Sequence, residues 1–413
     1  MSRGQLEQRL LVLVTLSLVA FGLVMVYSAT SAPAALGNGD PMRYLERQSV
    51  YAVLGLALMI AGSRFDYHRL RLLAPGLVLM ALGLCLAVLV VAQPINGARR
   101  WFTYGPASFQ PSELAKLALC VWAAVWLAKH RAPRTLGELW RPVGLLTLVF
   151  CGLIIVEPDL GSTIALVLCV GAILLVSGTP LRVLGSAGTA LAGLGLLAIW
   201  IEPYRRERVF AFLDPWKDSQ GTGFQSVQAM IGLGSGGLTG EGLGQGVSKV
   251  FYLPEAHTDM IYAIVGEELG LIGSTALIAA FGLFAYAGYR VALSCRDPFG
   301  KRLAAGMTTL VSAQAAVNLA AVLGVAPLTG IPLPFVSYGG SSLVMLLAGV
   351  GILLNIAVND VVVAPQRARM PDRSRGHSRA RPAGARGGGS PARARRAGDV
   401  RGVAGPRGST ARS

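Results

Sequence analysis

The sequence predicts an all-α polytopic membrane protein with about ten transmembrane helices. Of its 413 residues, 53% are hydrophobic and only 14% are charged, which is too apolar for a chain of several soluble domains. Apolar runs that are long enough to cross a bilayer as helices, about 20 residues each, recur as far as residue 360. Basic residues are concentrated in loops on one side of these runs, as expected when positive loops remain in the cytoplasm.

Ten predicted spans follow one another along the chain. The first lacks a small-residue cleavage pattern and is followed by further apolar segments, so we expect a retained helix rather than a signal peptide. The sequence "EPDLGS" separates the fifth span from the sixth, because the residue before a proline is biased away from the helix. The predicted spans are residues 10–29, 48–63, 72–92, 111–129, 143–157, 160–178, 183–201, 260–289, 303–325 and 336–358.

The basic loops orient the predicted bundle. "SRFDYHRLR", "KHRAPRTLGELWR" and "YRVALSCRDPFGKR" fall on the same side as both ends of the chain, so we expect both termini in the cytoplasm. The extracytoplasmic side then carries most of the unusual chemistry, including one long loop between helices 7 and 8 at residues 202–259. We therefore assign a ten-helix membrane domain to residues 1–360.

The remaining residues, 361–413, form an arginine-rich tail. They hold 13 arginines and two aspartates, which account for most of the formal net charge of +16. The tail has no aromatic residue and is dominated by Arg, Gly, Ala and Pro, so we predict a disordered cytoplasmic segment. A solvated segment close to anionic lipid is favoured over an arm that binds RNA or a partner, and no nucleic acid is expected as a ligand.

A group of polar residues stands at the mouth of the eighth span. "PEAHTDM" places Glu255, His257 and Asp259 there. An acid in this position can act as a general base for a hydroxyl nucleophile, and ionisable residues at a membrane are functional candidates. The alternative is that Thr258 or Asp259 caps the helix, which leaves Glu255 and His257 unexplained. We favour Asp259 as a catalytic base, with Glu255 and His257 as candidate substrate-binding residues.

Charged residues also occur inside the predicted spans. "SELAKL" sets Glu113 and Lys116 three residues apart, where they can form a pair or line a site that faces the bundle interior. Glu267 and Glu268 follow Asp259 in the eighth span, with Glu267 about 12 Å deeper along a helix. Because a charge at bilayer depth costs on the order of 3 kcal/mol or more, we expect structural pairing for Glu267 and Glu268.

Basic and aromatic residues in the outer loops point to a lipid-linked saccharide phosphate as the ligand. Arginines outside the membrane oppose the usual charge bias, and a guanidinium binds phosphate through two hydrogen bonds. The aromatic residues either stack on sugars or form an interfacial belt, and "PLPFVSYGGSS" forms either a polar wall or a turn and cap. The candidate ligand-binding residues in these segments are Arg99, Arg100, Trp101, Arg205, Arg208, Lys249, Ser337 and Tyr338.

The sequence contains no recognisable metal site. Its four histidines and five cysteines are dispersed, without the spacing of zinc ligands or of a disulfide framework. We therefore assign no metal ligands and no certain cofactor, and we leave open whether a divalent cation, Mg²⁺ or Mn²⁺, assists the chemistry of a pyrophosphate.

Six motifs in this order resemble the SEDS (shape, elongation, division and sporulation) family, which contains FtsW and RodA. They are "NGARRWF", "FQPSELAKL", "EPDLGST", "FLDPWKDSQGTGFQSVQAMIGLGSGG", "YLPEAHTDMIYAIVGEELGLIG" and "PLPFVSYGGSS". The resemblance covers about residues 10–360, and "FYLPEAHTD" is closer to the division branch, which contains FtsW, than to the elongation branch, which contains RodA. Met260 and Tyr262 stand where the family often has phenylalanine.

The resemblance implies a peptidoglycan glycosyltransferase that polymerises lipid II at the outer face of the cytoplasmic membrane during septal wall synthesis. It matches Asp259 to the family's essential aspartate. The implied partners are the growing undecaprenyl-linked glycan, a class B penicillin-binding protein (an FtsI-like transpeptidase) and other division proteins. The alternatives are a RodA-type elongation polymerase, a transporter that flips lipid II, and a scaffold that needs no catalytic acid. Dense polar motifs outside the membrane argue against a transport site at the midplane.

Overall fold

The structure, a computed structural model, describes residues 3–35, 41–94, 98–105, 107–249 and 256–359. These residues form helices and one antiparallel hairpin, made of β1 (Phe102–Tyr104) and β2 (Ala107–Phe109). The predicted tail, residues 361–413, lies outside the described residues. The helices are α1 (Arg3–Ala35), α2 (Pro41–Arg64), α3 (Leu70–Val91), α4 (Pro111–Lys129), α5 (Leu136–Leu139), α6 (Leu145–Val156), α7 (Leu160–Ser177), α8 (Leu181–Ile201), α9 (Pro203–Leu213), α10 (Phe224–Ser235), α11 (Ile261–Ser294), α12 (Pro298–Val322) and α13 (Gly340–Asn359).

The predicted polytopic helical fold is confirmed. Within the described residues, nine helical segments are long and apolar enough to cross a membrane, and each overlaps one of the ten predicted spans. The segment Leu136–Val156, which includes α5 and α6, overlaps the fifth predicted span. The remaining predicted span, residues 48–63, is helical as part of α2. The first turns of α2 carry Arg43, Glu46 and Arg47, which lower its hydropathy. Its second half packs against α13 where Gly62 faces Gly351.

Three helices form the centre of the bundle. In the most apolar stretch of each helix, 72% of the residues are buried in α4 and in α12 and 78% in α13, whereas 0% are buried in α8. Gly306 of α12 lies so close to Cys120 of α4 and Ile173 of α7 that a β-carbon there would come within 2.7 Å of either side chain. Small residues allow helix backbones to approach in this way. α8 therefore lies at the periphery of the bundle.

α11 is not the continuous helix that was predicted at residues 260–289. At Gly270 the backbone has φ +63° and ψ −160°, a conformation that only glycine adopts readily. A β-carbon on Gly270 would lie 2.6 Å from the carbonyl oxygen of Leu238, because the loop before α11 crosses the helix at this break. Isolated glycines within apolar runs are compatible with helices, so hydrophobic periodicity missed the break.

The predicted outer loop at residues 202–259 contains two helices, α9 and α10. Phe224, Val227, Met230 and Ile231 have helical spacing, and α10 spans all four. Val227 is buried and Ile231 is exposed, so α10 has one packed side and one free side. This loop leads into the turn that precedes α11, which places the candidate acid at one end of the bundle.

Candidate active site

Asp259 lies in the turn at residues 256–260, directly before α11. The N-cap residue of α11 is Met260, so Asp259 lies one residue before the position at which a side chain ordinarily caps a helix. Its carboxylate is half-buried and accepts a hydrogen bond from the Thr258 hydroxyl (Oγ1 to Oδ1, 3.2 Å). The acid is thus close to solvent as well as to the apolar bundle.

Asn318 of α12 ties this turn to the segment at residues 327–331. Its amide nitrogen donates to the backbone oxygens of Asp259 (2.7 Å) and Ile331 (2.8 Å). Gly330, with φ +72°, lies beside the carboxylate, and a β-carbon there would be 4.0 Å from Oδ2 of Asp259. The 327–331 segment therefore forms a wall next to the acid.

An aromatic cluster adjoins the turn. The backbone N–H of Tyr338 donates to the carbonyl oxygen of His257 (2.9 Å), and the two ring centroids are 5.4 Å apart. Tyr44 of α2 packs edge-on against both rings, at 4.9 Å from His257 and 5.4 Å from Tyr338. Burial raises the pKa of the Tyr338 phenol above its ordinary value, so the hydroxyl stays protonated at neutral pH. The structure thus brings His257 and Tyr338 together.

Ser337 has a local role in the turn that precedes α13. Its hydroxyl accepts a hydrogen bond from the N–H of Leu333 (2.8 Å), and its carbonyl oxygen accepts one from the side-chain amide of Gln48 (3.1 Å). The side chain is buried. These contacts favour the turn-forming interpretation of "PLPFVSYGGSS" for Ser337, while Tyr338 belongs to the aromatic cluster.

The "EPDLG" loop packs against the 327–331 segment from the other side. Asp159 caps α7 by accepting from the N–H of Ser162 (2.9 Å), and it also accepts from the amide of Gln110 (3.0 Å). Gly161 lies so close to Ile331 that a β-carbon on Gly161 would overlap that side chain. The segment beside Asp259 is therefore held between α12 and the start of α7.

Arg100 donates two hydrogen bonds to the backbone of the "EPDLG" loop. Its Nε donates to the carbonyl oxygen of Glu157 and its Nη2 to that of Pro158, both at 2.6 Å. The Glu157 side chain is fully buried. This burial and the neighbouring charge of Asp159 raise the pKa of the Glu157 carboxyl to about 8, although the Arg100 guanidinium opposes the shift. Glu157 is therefore largely protonated at neutral pH.

An apolar cavity of about 440 Å³ opens between α6, α7 and α8 and reaches the 327–331 segment. Its lining includes Val167 and Leu191, and Thr329 lies at the end formed by the 327–331 segment. Arg208 of α9 also lines the cavity and donates to the carbonyl oxygen of Leu328 (3.1 Å). The same segment therefore faces Asp259 at Gly330 and the cavity at residues 327–329.

Glu113 and Lys116 form a pair inside the bundle, which is one of the two arrangements that the sequence left open. The Lys116 ammonium lies 2.8 Å from the Glu113 carboxylate and 3.5 Å from the hydroxyl of Ser162. Both side chains are buried. Because Ser162 belongs to the first turn of α7, which Asp159 caps, this pair lies behind the "EPDLG" loop.

Lys249 is also paired, in a place that the sequence did not predict. Its ammonium lies 2.7 Å from the Glu268 carboxylate and 3.2 Å from the hydroxyl of Ser28 in α1. Lys249 and Glu268 are both buried. The structural pairing that was expected for Glu268 is therefore present, and it neutralises a cation that the sequence had suggested for ligand binding.

Other predicted residues stand apart from this arrangement. Arg99 is exposed and donates to the carbonyl oxygen of Leu89 at the end of α3 (3.1 Å), and Trp101 is half-buried just before β1. The side chain of Arg205 and the whole of Glu255 lie outside the described residues. In the described ranges, no three His, Cys, Asp or Glu side chains are grouped closely enough to hold a metal ion.

Two sets of site residues escaped the sequence analysis. Asn318 is a polar residue within an apolar span, a recognised signal of function or structure in membranes that could have drawn attention to it. Gln110 and Tyr44 gave no comparable local signal, because their contacts with Asp159 and His257 join residues far apart in the sequence.

The chain is similar to proteins of known name over most of its length. A family model described as "Cell cycle protein", which groups FtsW, RodA and SpoVE, matches residues 8–361. A relative from Geobacter metallireducens, named "Probable peptidoglycan glycosyltransferase FtsW", is 42% identical over 351 residues, which are 84% of this chain and 93% of the relative. The Bacillus subtilis protein "Stage V sporulation protein E" is 38% identical over 84% of this chain and 96% of its own length.

Solved structures agree with this similarity. One chain, from a structure described as "Structural coordination of polymerization and crosslinking by a peptidoglycan synthase complex", superposes with a TM-score of 0.71 at 36% identity. The match covers 84% of this chain and 96% of that one. The Rod shape determining protein RodA of Thermus thermophilus superposes with a TM-score of 0.60 at 34% identity, over 84% of this chain and 95% of its own.

Proposed function

Because the chain belongs to the family of cell cycle proteins that groups FtsW, RodA and SpoVE, we propose that it is a division-associated peptidoglycan glycosyltransferase. It polymerises lipid II into glycan strands at the outer face of the cytoplasmic membrane, during synthesis of the septal wall. The names of its relatives support this function, since the similarity extends over nearly their whole length.

Asp259 acts as the general base of the reaction. The 4-hydroxyl oxygen of the acceptor sugar attacks the anomeric carbon of the growing chain, and the hydroxyl proton passes to the Asp259 carboxylate. The new glycosidic bond forms as the bond from the anomeric carbon to the phosphate oxygen breaks. Undecaprenyl pyrophosphate then departs as an anion, and nearby cations stabilise its charge.

One observation carries this proposal. The 327–331 segment has Asp259 beside Gly330 and the apolar cavity beside Leu328 and Thr329. Lipid II combines a long isoprenoid chain with a pyrophosphate and two sugars, so its site must bring apolar and polar surfaces together. In this arrangement the cavity binds part of the lipid chain while the reacting sugars lie at the carboxylate.

Arg208 is the best-placed cation for the leaving group, because it lines the cavity at the same segment. Arg100 lies on the adjacent "EPDLG" loop, with two of its donors bound to that loop. The aromatic cluster of Tyr44, His257 and Tyr338 offers ring faces on which sugars can stack. Lys249 is not required in this role, since Glu268 already neutralises it.

The partner is a class B penicillin-binding protein, an FtsI-like transpeptidase that cross-links the strands this chain makes. The structural relative from a peptidoglycan synthase complex supports such a pairing. Both termini lie in the cytoplasm, and the turn with Asp259 lies outside, in agreement with the basic loops. The septum is the expected site of action, together with other division proteins.

A lipid II transporter is the rival function, and the broken helix α11 is a feature that transporters share. In transporters, carbonyl groups at such a break often bind an ion. Here the carbonyl oxygens of Glu267 and Glu268 accept hydrogen bonds from the backbone N–H groups of Glu241 and Gly242 (both 3.0 Å). The break is thus used for packing, which favours the polymerase.

The proposal is tested by polymerisation of lipid II. The full-length chain is purified with its cognate class B penicillin-binding protein, and glycan formation is compared for the wild type, Asp259→Ala and Asp218→Ala. Asp218 is a matched control, because it is an exposed acid of the same outer loop, where it bonds to Thr222. We expect polymer from the wild type and from Asp218→Ala but none from Asp259→Ala.

Equal polymer from the wild type and Asp259→Ala, at matched yield of folded complex, would refute the role of Asp259. Absence of polymer with all three proteins, combined with lipid II movement across vesicles, would favour the transporter. These two outcomes separate the assignment of the base from the assignment of the reaction.

A further inference from the structure

A loop, residues 236–249, fills the break in α11. Its N–H groups donate to carbonyl oxygens before the break, those of Glu267 and Glu268 (both 3.0 Å). Its own carbonyl oxygens accept from N–H groups after the break, those of Leu271 and Ile272 (2.9 and 3.2 Å). Backbone groups that a broken helix would leave unsatisfied in the membrane are thereby paired, which a lipid environment requires.

Glycine is needed at three points where this loop touches the helix. A β-carbon on Gly236 would overlap the carbonyl oxygen of Gly266, and one on Gly240 would overlap that of Glu268. A β-carbon on Gly246 would lie 2.8 Å from the carboxylate of Glu267. The glycine-rich motif "GLGSGGLTGEGLGQG" therefore has a structural explanation: it allows a backbone to lie directly on another backbone.

The carboxylates of Glu267 and Glu268 bind the end of the loop, residues 247–249. The Glu267 carboxylate accepts hydrogen bonds from the N–H groups of Val247 (2.7 Å) and Ser248 (3.0 Å). The Glu268 carboxylate accepts from the Lys249 ammonium and from the hydroxyl of Ser28, both at 2.7 Å. α1, the loop and the first part of α11 therefore meet at one buried network.

A buried ion pair is weak evidence for stability, because desolvation of two charges offsets their attraction. Its clearest benefit is to fix one arrangement among several. Here the arrangement concerns residues 261–269, the part of α11 that lies before the break at Gly270. This part begins directly after the turn with Asp259, and the break separates it from the rest of α11.

We propose that Lys249, Glu268 and Ser28 are positioning residues that set the location of the Asp259 carboxylate. This inference rests on the proposed role of Asp259 as the base. Asn318 of α12 donates a hydrogen bond to the backbone oxygen of Asp259. The Lys249–Glu268–Ser28 network connects the first part of α11, which follows Asp259, to α1 and to the loop. Loss of the network lets residues 261–269 shift, and a displacement of about 1 Å at a reacting group can cost on the order of 100-fold in rate.

The test compares the kinetics of two double variants in the full-length chain with its penicillin-binding partner. Lys249→Met/Glu268→Gln removes both charges, so neither is left buried without its partner. Glu7→Gln/Arg290→Met is the matched control, because that ion pair (3.3 Å) also joins α1 to α11. The readouts are kcat and KM for lipid II and the midpoint of thermal unfolding.

We expect the Lys249→Met/Glu268→Gln variant to lose at least about 10-fold in kcat while KM changes less than about 2-fold, because the network acts on the base and does not touch the substrate. We expect the control variant Glu7→Gln/Arg290→Met to keep the kcat and the KM of the wild type. An unchanged kcat in a folded double variant would overturn the proposal, as would an equal loss in the control. If the double variant does not fold, Ser28→Ala replaces it, since this change keeps the ion pair; wild-type kcat there would also overturn the proposal.

Asp259→Ala is measured in the same series. Activity in Asp259→Ala would refute the proposed base and not the existence of the network. Inactive Asp259→Ala together with wild-type kcat in Lys249→Met/Glu268→Gln would refute the positioning role alone.

Discussion

Glu157→Gln should remove a pH dependence of stability that the "EPDLG" loop imposes on the fold. The Glu157 carboxyl is fully buried, with Asp159, Arg100 and Cys85 as its titratable neighbours. Its pKa in the folded chain is about 8, because of burial and the charge of Asp159. An exposed glutamate in the unfolded chain has a pKa of about 4.3.

The direction of the pH dependence of stability follows from these two pKa values of Glu157. The folded pKa lies above the unfolded one, so the contribution of Glu157 to stability is fully present below about pH 4.3 and is lost as the pH rises to about 8. Each pH unit in this window costs about 1.4 kcal/mol, so a rise from about pH 5 to about pH 8 costs at most about 4 kcal/mol. Water penetration reduces this penalty, and we expect the free energy of unfolding to fall by about 2 kcal/mol over the same pH range.

The assay is thermal unfolding in detergent between about pH 5 and pH 8 for the wild type, Glu157→Gln and the control Glu241→Gln, which changes an exposed glutamate. We expect the midpoint to fall less with rising pH in Glu157→Gln than in the wild type, because glutamine cannot ionise. The control should follow the wild type. An identical pH slope in all three proteins would refute the reasoning.

Three further predictions concern packing and the cavity. Gly270→Ala should lower both polymerisation and the thermal midpoint, because its β-carbon meets the crossing loop, whereas Gly282→Ala on the same helix has no atom within 4 Å and should be neutral. Leu191→Trp should raise KM for lipid II about 5-fold or more by filling the cavity. Glu113→Gln should destabilise the chain by about 3 to 5 kcal/mol, since it leaves Lys116 buried without a counter-charge, and adding Lys116→Met should recover much of that loss in the same thermal assay.

The helices were predictable because a membrane span needs little more than length and hydropathy. Those two quantities located every predicted span to within a few residues at most ends. They missed the break at Gly270, since its cause is a loop that approaches from outside the span. They also missed the way in which α2, with Arg43 and Arg47 in its first turns, packs against α13 despite its lower hydropathy.

The site was predictable where its contacts are local in sequence. Glu113 and Lys116 are three residues apart, so helix geometry alone brings them together. Lys249 and Ser28 are 221 residues apart, and a basic residue in a basic loop gives no sign that it points inward to a glutamate. The role of Asn318 likewise depends on a backbone oxygen 59 residues away.

The most direct test of the central claim separates binding from chemistry at Asp259. Asp259→Asn keeps the shape of the side chain but cannot accept the proton, so lipid II binding and glycan formation are measured on the same complex. We predict binding within about 3-fold of the wild type and no detectable glycan. Glycan formation by Asp259→Asn, or a loss of binding that accounts for the whole loss of activity, would contradict a role for Asp259 as the general base.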